Sequence, residues 1–123
     1  MIIAASQWNE CQFCTRSHCD LVTIAGILEA PLELVAHPSA LEPRERLAIE
    51  FTRAAMKDGN HIPEALWLQV GDVFTEPEVV ELTFLVGYIN MLNLFNNCLG
   101  VRYSGEYSVL AAAPANAHVA DAG

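Results

Sequence analysis

Apolar residues recur at helical spacing over most of this chain, in segments separated by glycine, proline and asparagine. Met1 to Trp8 reads as the last two turns of a helix, punctuated by Asn9-Glu10. A second helix starts in the cysteine-rich run that follows and carries Leu21, Val22, Ile24 and Ala25 up to Gly26, a natural helix stop. A short helix is expected from about Ile27 to Val35, with Pro31 admitted only near its first turn, and His37-Pro38 breaks it. From Pro43 to Lys57, Leu47, Ile49, Phe51, Ala54 and Ala55 interleave with Arg44, Glu45, Arg46, Glu50 and Arg53, an amphipathic pattern closed by Asp58-Gly59-Asn60. Pro63 opens a helix to about Val73. Thr75-Glu76-Pro77-Glu78 then supplies an N-cap and first-turn acids for a final helix, Pro77 to Leu99, closed by Gly100.

The pattern predicts an all-α fold, a compact bundle of five or six helices. Its final helix is apolar on most of its circumference, more than a surface helix of a small monomer needs, so a homo-oligomer is expected. Asn90, Asn93 and Asn97 share one face of that helix and read as helix–helix hydrogen bonding. Cys98 reads as core. Residues 1–101 read as one helical domain and 102–123 as a C-terminal arm or mobile tail, since Ala111 to His118 has little to bury.

The chemistry concentrates in Glu10-Cys11-Gln12-Phe13-Cys14-Thr15-Arg16-Ser17-His18-Cys19. At about 100° per residue, Cys11, Cys14 and His18 fall within an arc of about 60° on one helical face, so their side chains are expected to meet. Backbone N–H groups at a helix start favour thiolate over thiol, and an imidazole one turn later can take the proton. Cys14 is placed to be the reactive sulfur and Cys11 to close a disulfide with it, which makes the pair a redox dithiol. The rival is a zinc site from Cys11, Cys14, His18 and Cys19, but Cys19 points about 80° away from Cys11 and one helix can hardly wrap a tetrahedral ion. Trp8 and Phe13 flank the thiols and either could wall a pocket, although aromatic core is the default for both. His37, His61 and His118 sit beside turn or tail residues and read as solvated.

The run Trp8 to His18 resembles the active-site helix of the alkylhydroperoxidase D-like branch of the carboxymuconolactone decarboxylase family, with its Cys-x-x-Cys-x-x-x-His spacing. Leu41 to Phe51, and Val80-Glu81-Leu82 through Asn90, Asn93 and Phe95, resemble that family's later helices in the same order. The resemblance implies an all-helical oligomeric enzyme that reduces organic hydroperoxides and takes electrons from an external dithiol or thioredoxin-like reductant. It implies Cys14 as the peroxide-reacting thiol, Cys11 as the resolving thiol and His18 as the relay base, with no metal or organic cofactor. The family's usual glutamate, about a dozen residues before the first cysteine, would fall before Met1. The relay is therefore expected to be incomplete unless Glu10, Glu45, Glu50 or Glu81 approaches His18.

Charge and composition narrow the partners. Six basic against fifteen acidic residues leave a net charge of −9, which argues against nucleic acid and anionic membrane surfaces. Clustering of three cysteines on one helix suits a reducing cytoplasm better than a secreted disulfide framework. The most apolar stretch, Val79 to Leu99, is interrupted by Glu81, Asn90, Asn93, Asn96 and Asn97, so no membrane span is expected. Two alternatives stay open: a non-catalytic helical oligomeric module with a zinc-binding or redox-sensing Cys/His cluster, and a carboxymuconolactone decarboxylase-type lyase.

Overall fold

The structure, a computed structural model, describes residues 1–112. Those residues form seven α-helices and one 3-10 turn: α1 (Ile2–Trp8), α2 (Gln12–Ile24), α3 (Pro31–Ala36), the 3-10 turn Pro38–Ala40, α4 (Pro43–Asp58), α5 (Glu64–Val73), α6 (Glu76–Cys98) and α7 (Glu106–Ala112). The all-α reading holds among the described residues, with one helix more than the expected five or six. The additional one is α7, in the segment expected to be a C-terminal arm or mobile tail. It forms because Tyr103, itself buried, ties it to α2. Tyr103 Oη donates to Asp20 Oδ2 at 2.7 Å and accepts the Tyr107 N–H at 2.9 Å, while Ser108 Oγ donates to the same carboxylate oxygen at 3.0 Å. Residues 113–123, the rest of the expected tail, lie outside the described residues.

The bundle is arranged around α1. Seven residues are too few for a helix to hold itself together in water. This one packs against α2, α3, α4 and α6 at once. Its Ala4, Ala5 and Ser6 are buried, and such small side chains let four neighbours come close. Ile3 and Ala4 join Val35 and Ile49 in one core cluster, with Cys19, Val22 and Leu41 packed against it. On the next face of α1, Ala5 joins the two cysteines and Ile89 in a second cluster. The third, Leu47, Phe51, Val70 and Phe74, joins α4, α5 and α6.

Local signals set the helix ends. Thr75 and Glu78 form a reciprocal capping box at the start of α6, and Pro43 takes the first position of α4. The helix expected from Ile27 begins only at Pro31, because a proline disfavours helical backbone in the residue before it, and Ala30 is non-helical at φ −132°, ψ 66°. α1, α2 and α6 all end in the same turn, with a residue at positive φ and a reverse hydrogen bond across it: Cys11 N–H to Ser6 O at 2.9 Å, Ile27 N–H to Val22 O at 2.9 Å, Val101 N–H to Asn96 O at 2.9 Å. Gly26 and Gly100 fill the left-handed position of the last two. Glu10, at φ 51°, fills the first.

α6 departs from expectation at Cys98, which is exposed rather than core. The same side of the helix carries Val80, Phe84, Tyr88, Met91, Leu94, Phe95 and Leu99, each 48–68 % exposed. The buried side carries Val86, Ile89 and Asn93.

Candidate dithiol site

The Asn9-Glu10 turn between α1 and α2 aims the first turn of α2 at the flank of α6. Cys11 is the N-cap of α2, with extended backbone, and its sulfur accepts the Cys14 N–H at 3.4 Å. That sulfur takes up one of the N–H groups left free at a helix start. The neighbouring Cys14 thiol also acts on Cys11, pushing its thiol up. Both are reduced and almost fully buried, at 1 % and 2 % exposure. Burial pushes the Cys11 thiol above its ordinary value, and the Cys14 N–H offsets this only in part. Cys19 is raised too, by burial and by the neighbouring Asp20 charge.

α6 meets this pair with a ladder of amides. Asn93, with no exposed surface, donates through Nδ2 to Ser6 Oγ at 3.1 Å, accepts at Oδ1 from Asn9 Nδ2 at 3.1 Å, and also faces the Cys11 sulfur. Asn9 Nδ2 further reaches Asn90 Oδ1 at 2.8 Å, and Asn97 Nδ2 donates to the Asn9 carbonyl at 2.8 Å. The expected stripe of Asn90, Asn93 and Asn97 is thus spent on helix–helix hydrogen bonding. Asn96 is the residue sequence reasoning missed: its Nδ2 donates to Cys14 Sγ at 3.2 Å. A sequence signal existed, since Asn96 follows Asn93 by three residues and Ile89 by seven, on the face that turns inward.

His18 does not hydrogen-bond to either sulfur. Its Nδ1 lies 2.8 Å from the carbonyl oxygen of Cys14, one turn back. A carbonyl only accepts, so Nδ1 carries the hydrogen and Nε2 is the basic nitrogen. The ring lines a cavity of about 390 Å³ whose walls are otherwise apolar, among them Ile2, Val22, Leu34, Leu41 and Ile49, with Glu45 as the one acid. Ile2 both lines this cavity and packs against the thiol cluster, so it stands between the two. Of the four glutamates that could stand in for the missing acid, Glu45 alone lines this cavity. Its Oε2 accepts the Glu42 N–H at 3.2 Å as part of the α4 capping box. Glu10 and Glu50 are exposed, and Glu81 lines a separate cleft with Arg44.

Compared with known proteins, the chain matches no family model, no curated protein and no solved structure. The reading of the site therefore rests on its geometry. Among the described residues no three histidine, cysteine, aspartate or glutamate side chains are grouped to hold a metal ion. Phe13 packs on the thiol cluster and meets Tyr103 edge-on at 5.8 Å, whereas Trp8 is half exposed. His37 and His61 are exposed, and His118 lies outside the described residues.

Proposed function

We propose that this chain is a thiol-dependent hydroperoxide reductase of the alkylhydroperoxidase D-like kind, working as a homo-oligomer in a reducing compartment. The observation that carries the reading is the Cys11/Cys14 pair: two free, buried thiols at the start of α2, the Cys14 N–H bonded to the Cys11 sulfur, with an imidazole one turn on. In the reaction the Cys14 thiolate attacks the terminal oxygen of R–O–OH. A sulfur–oxygen bond forms, the oxygen–oxygen bond breaks, and RO⁻ leaves to be protonated to ROH. Cys14, oxidised by two electrons, is then a sulfenic acid. The Cys11 sulfur attacks it, a disulfide forms and the hydroxyl departs as water. An external dithiol reduces the disulfide and is itself oxidised to one. His18, with Nε2 basic, relays protons, and Glu45 on the same cavity wall is the acid best situated to assist it.

The oligomer rests on α6. Aromatic side chains carry about 150–250 Å² each, so seven large apolar side chains at half to two-thirds exposure offer on the order of 700 Å². A stable interface uses about 800 Å² per partner. From Phe84 to Leu99 the stripe has no charged member, and a second copy brings the same uncharged segment about a two-fold axis. α6 is also long and apolar enough to cross a membrane by length and composition. Its Asn93 and Asn96, however, are bonded to α1 and α2 inside the protomer.

Thiol titration with an organic hydroperoxide, followed by peroxide consumption with a dihydrolipoyl-type dithiol, tests the reading. Cys14→Ser should abolish turnover, and Cys11→Ser should stop after one oxidation with a trapped sulfenic acid. Glu45→Gln should slow turnover about 100-fold, the scale of a held proton-transfer group. Equal, mild losses from both cysteine variants would overturn the assigned roles. The near-complete burial of both sulfurs favours a second reading, a redox-sensing disulfide without turnover, which predicts one oxidation per chain and no sustained peroxide consumption.

A further inference from the structure

Two amides three residues apart on α6, Asn93 and Asn96, face the dithiol, and Asn96 is the one hydrogen-bonded to a sulfur, Cys14 Sγ at 3.2 Å. The amides are not equivalent. Asn93 is fully buried and already committed, to Ser6 through Nδ2 and to Asn9 through Oδ1. Among the described residues, the side chain of Asn96 has Cys14 Sγ as its one hydrogen-bond partner. A bond to an ionised partner is roughly twice as strong as one between neutral groups. The Asn96 bond therefore strengthens as Cys14 loses its proton, and nothing else competes for that donor.

The Cys11 sulfur, equally buried, has no such uncommitted side-chain donor. It accepts the Cys14 backbone N–H, and burial outweighs that bond and favours its neutral form. An amide also suits the place chemically. It is neutral, so it adds no buried charge, and when turned over its oxygen accepts S–H from the neutral thiol. The Cys14 sulfur is thus partnered in both protonation states.

We infer that Asn96 selects Cys14 over Cys11 as the attacking sulfur, by donating its Nδ2–H to the Cys14 thiolate. The inference rests on the dithiol reading proposed above. It makes Asn96 a member of the reacting site and Asn93 a positioning residue for the α1–α2–α6 junction.

The test measures iodoacetamide labelling of the reduced full chain at pH 7, with Cys11 and Cys14 resolved by peptide mass spectrometry. Their ratio within one molecule cancels any change in how often the buried site opens. Asn96→Ala should lower the Cys14-to-Cys11 ratio about tenfold, the lower end of what a hydrogen bond to a charged group contributes. Asn96→Asp, the same size but with a negative acceptor against the sulfur, should lower it further. A residue that merely spaced α2 from α6 would alter both thiols together and leave the ratio alone. Should Asn96→Ala lose the helical fold by circular dichroism, the isosteric Asn96→Asp carries the test. An unchanged ratio in a folded variant overturns the inference while leaving the dithiol reading intact. If an organic hydroperoxide fails to produce the Cys11–Cys14 disulfide in the unsubstituted chain, the dithiol reading itself has failed, and the inference falls with it.

Discussion

The two sides of α6 are inverted with respect to an ordinary surface helix. The side turned into the protomer carries Asn93 and Asn96 beside Val86 and Ile89, and the side turned outward carries Val80, Phe84, Tyr88, Met91 and Phe95. At about 100° per residue the outward stripe, with Leu94 and Leu99, spans an arc of about 140°, opposite Asn93 and Asn96. A helix face buries what has a partner. Inside, the amides have partners: Ser6, Asn9 and the cysteine sulfur satisfy them, and no buried side-chain polar atom among the described residues lacks a hydrogen bond. Outside, a contiguous apolar stripe has none within the protomer. The inner side is specific because each amide addresses one group, whereas the outer side is adhesive because area alone drives it.

Charge placed on the outer side should have the largest effect. Phe84→Glu together with Met91→Lys puts charge in the middle of the stripe. If two copies pair there, the dissociation constant should rise at least about a hundredfold, the scale of losing interface hot spots. Sedimentation velocity reads it, and an unsubstituted chain that is monomeric at micromolar concentration would show that the stripe pairs with nothing of its own kind. Cys98 lies on this side and is exposed. A short bismaleimide should therefore link two chains through it, and should fail to do so in the double variant.

From inside, Asn93→Ala is the sharper cut. It strips Ser6 and Asn9 of a buried partner at once, and should lower stability by about 2–3 kcal/mol in urea unfolding without changing the assembly. A loss below about 0.5 kcal/mol would mean that α1 and α6 are held by packing alone.

The thiols under the inner side give the comparison a pH dependence. Cys11 and Cys19 both have raised values, chiefly through burial. In the unfolded chain a thiol ionises near pH 8.5, about the free value. The folded chain keeps these protons to higher pH. Their stabilisation is therefore complete below about pH 8.5 and is lost as pH rises through the folded values. Melting temperature should fall between pH 8 and pH 10, and less steeply in Cys11→Ser. The outer stripe, which has no titrating thiol but Cys98, should keep its assembly over that range.

The smallest effect belongs to the turn that directs α2 onto this inner side. Glu10 holds the left-handed position that Gly26 and Gly100 hold in the two equivalent turns. A non-glycine residue there costs about 1 kcal/mol or more, partly offset by glycine's greater freedom in the unfolded chain. Glu10→Gly should raise stability by about 0.5–1 kcal/mol in the same urea assay. A fall instead would mean that the Glu10 side chain makes a contact worth more than the strain.

What the sequence determined by itself was local. Thr75 with Glu78, Pro43, Gly26 and Gly100 set helix ends through atoms a few residues apart, and the Cys-x-x-Cys spacing put the first sulfur at the N-cap of α2, where it reaches the N–H of the second cysteine. The stripe of Asn90, Asn93 and Asn97 was likewise legible as a contact face. Tertiary structure decided the rest. Cys98 was misread as core because a helix apolar nearly all round does not say which side turns inward; α1 and α2 made that choice by offering Ser6, Asn9 and Cys14 to the asparagines. His18 shares a face with the cysteines, yet its ring bonds to the Cys14 carbonyl and borders a cavity walled by α1, α3 and α4. α7 exists because Tyr103 finds Asp20 eighty-three residues away in sequence. Such partners are distant along the chain, and periodicity, which compares a residue only with its near neighbours, carries no information about which of them will meet.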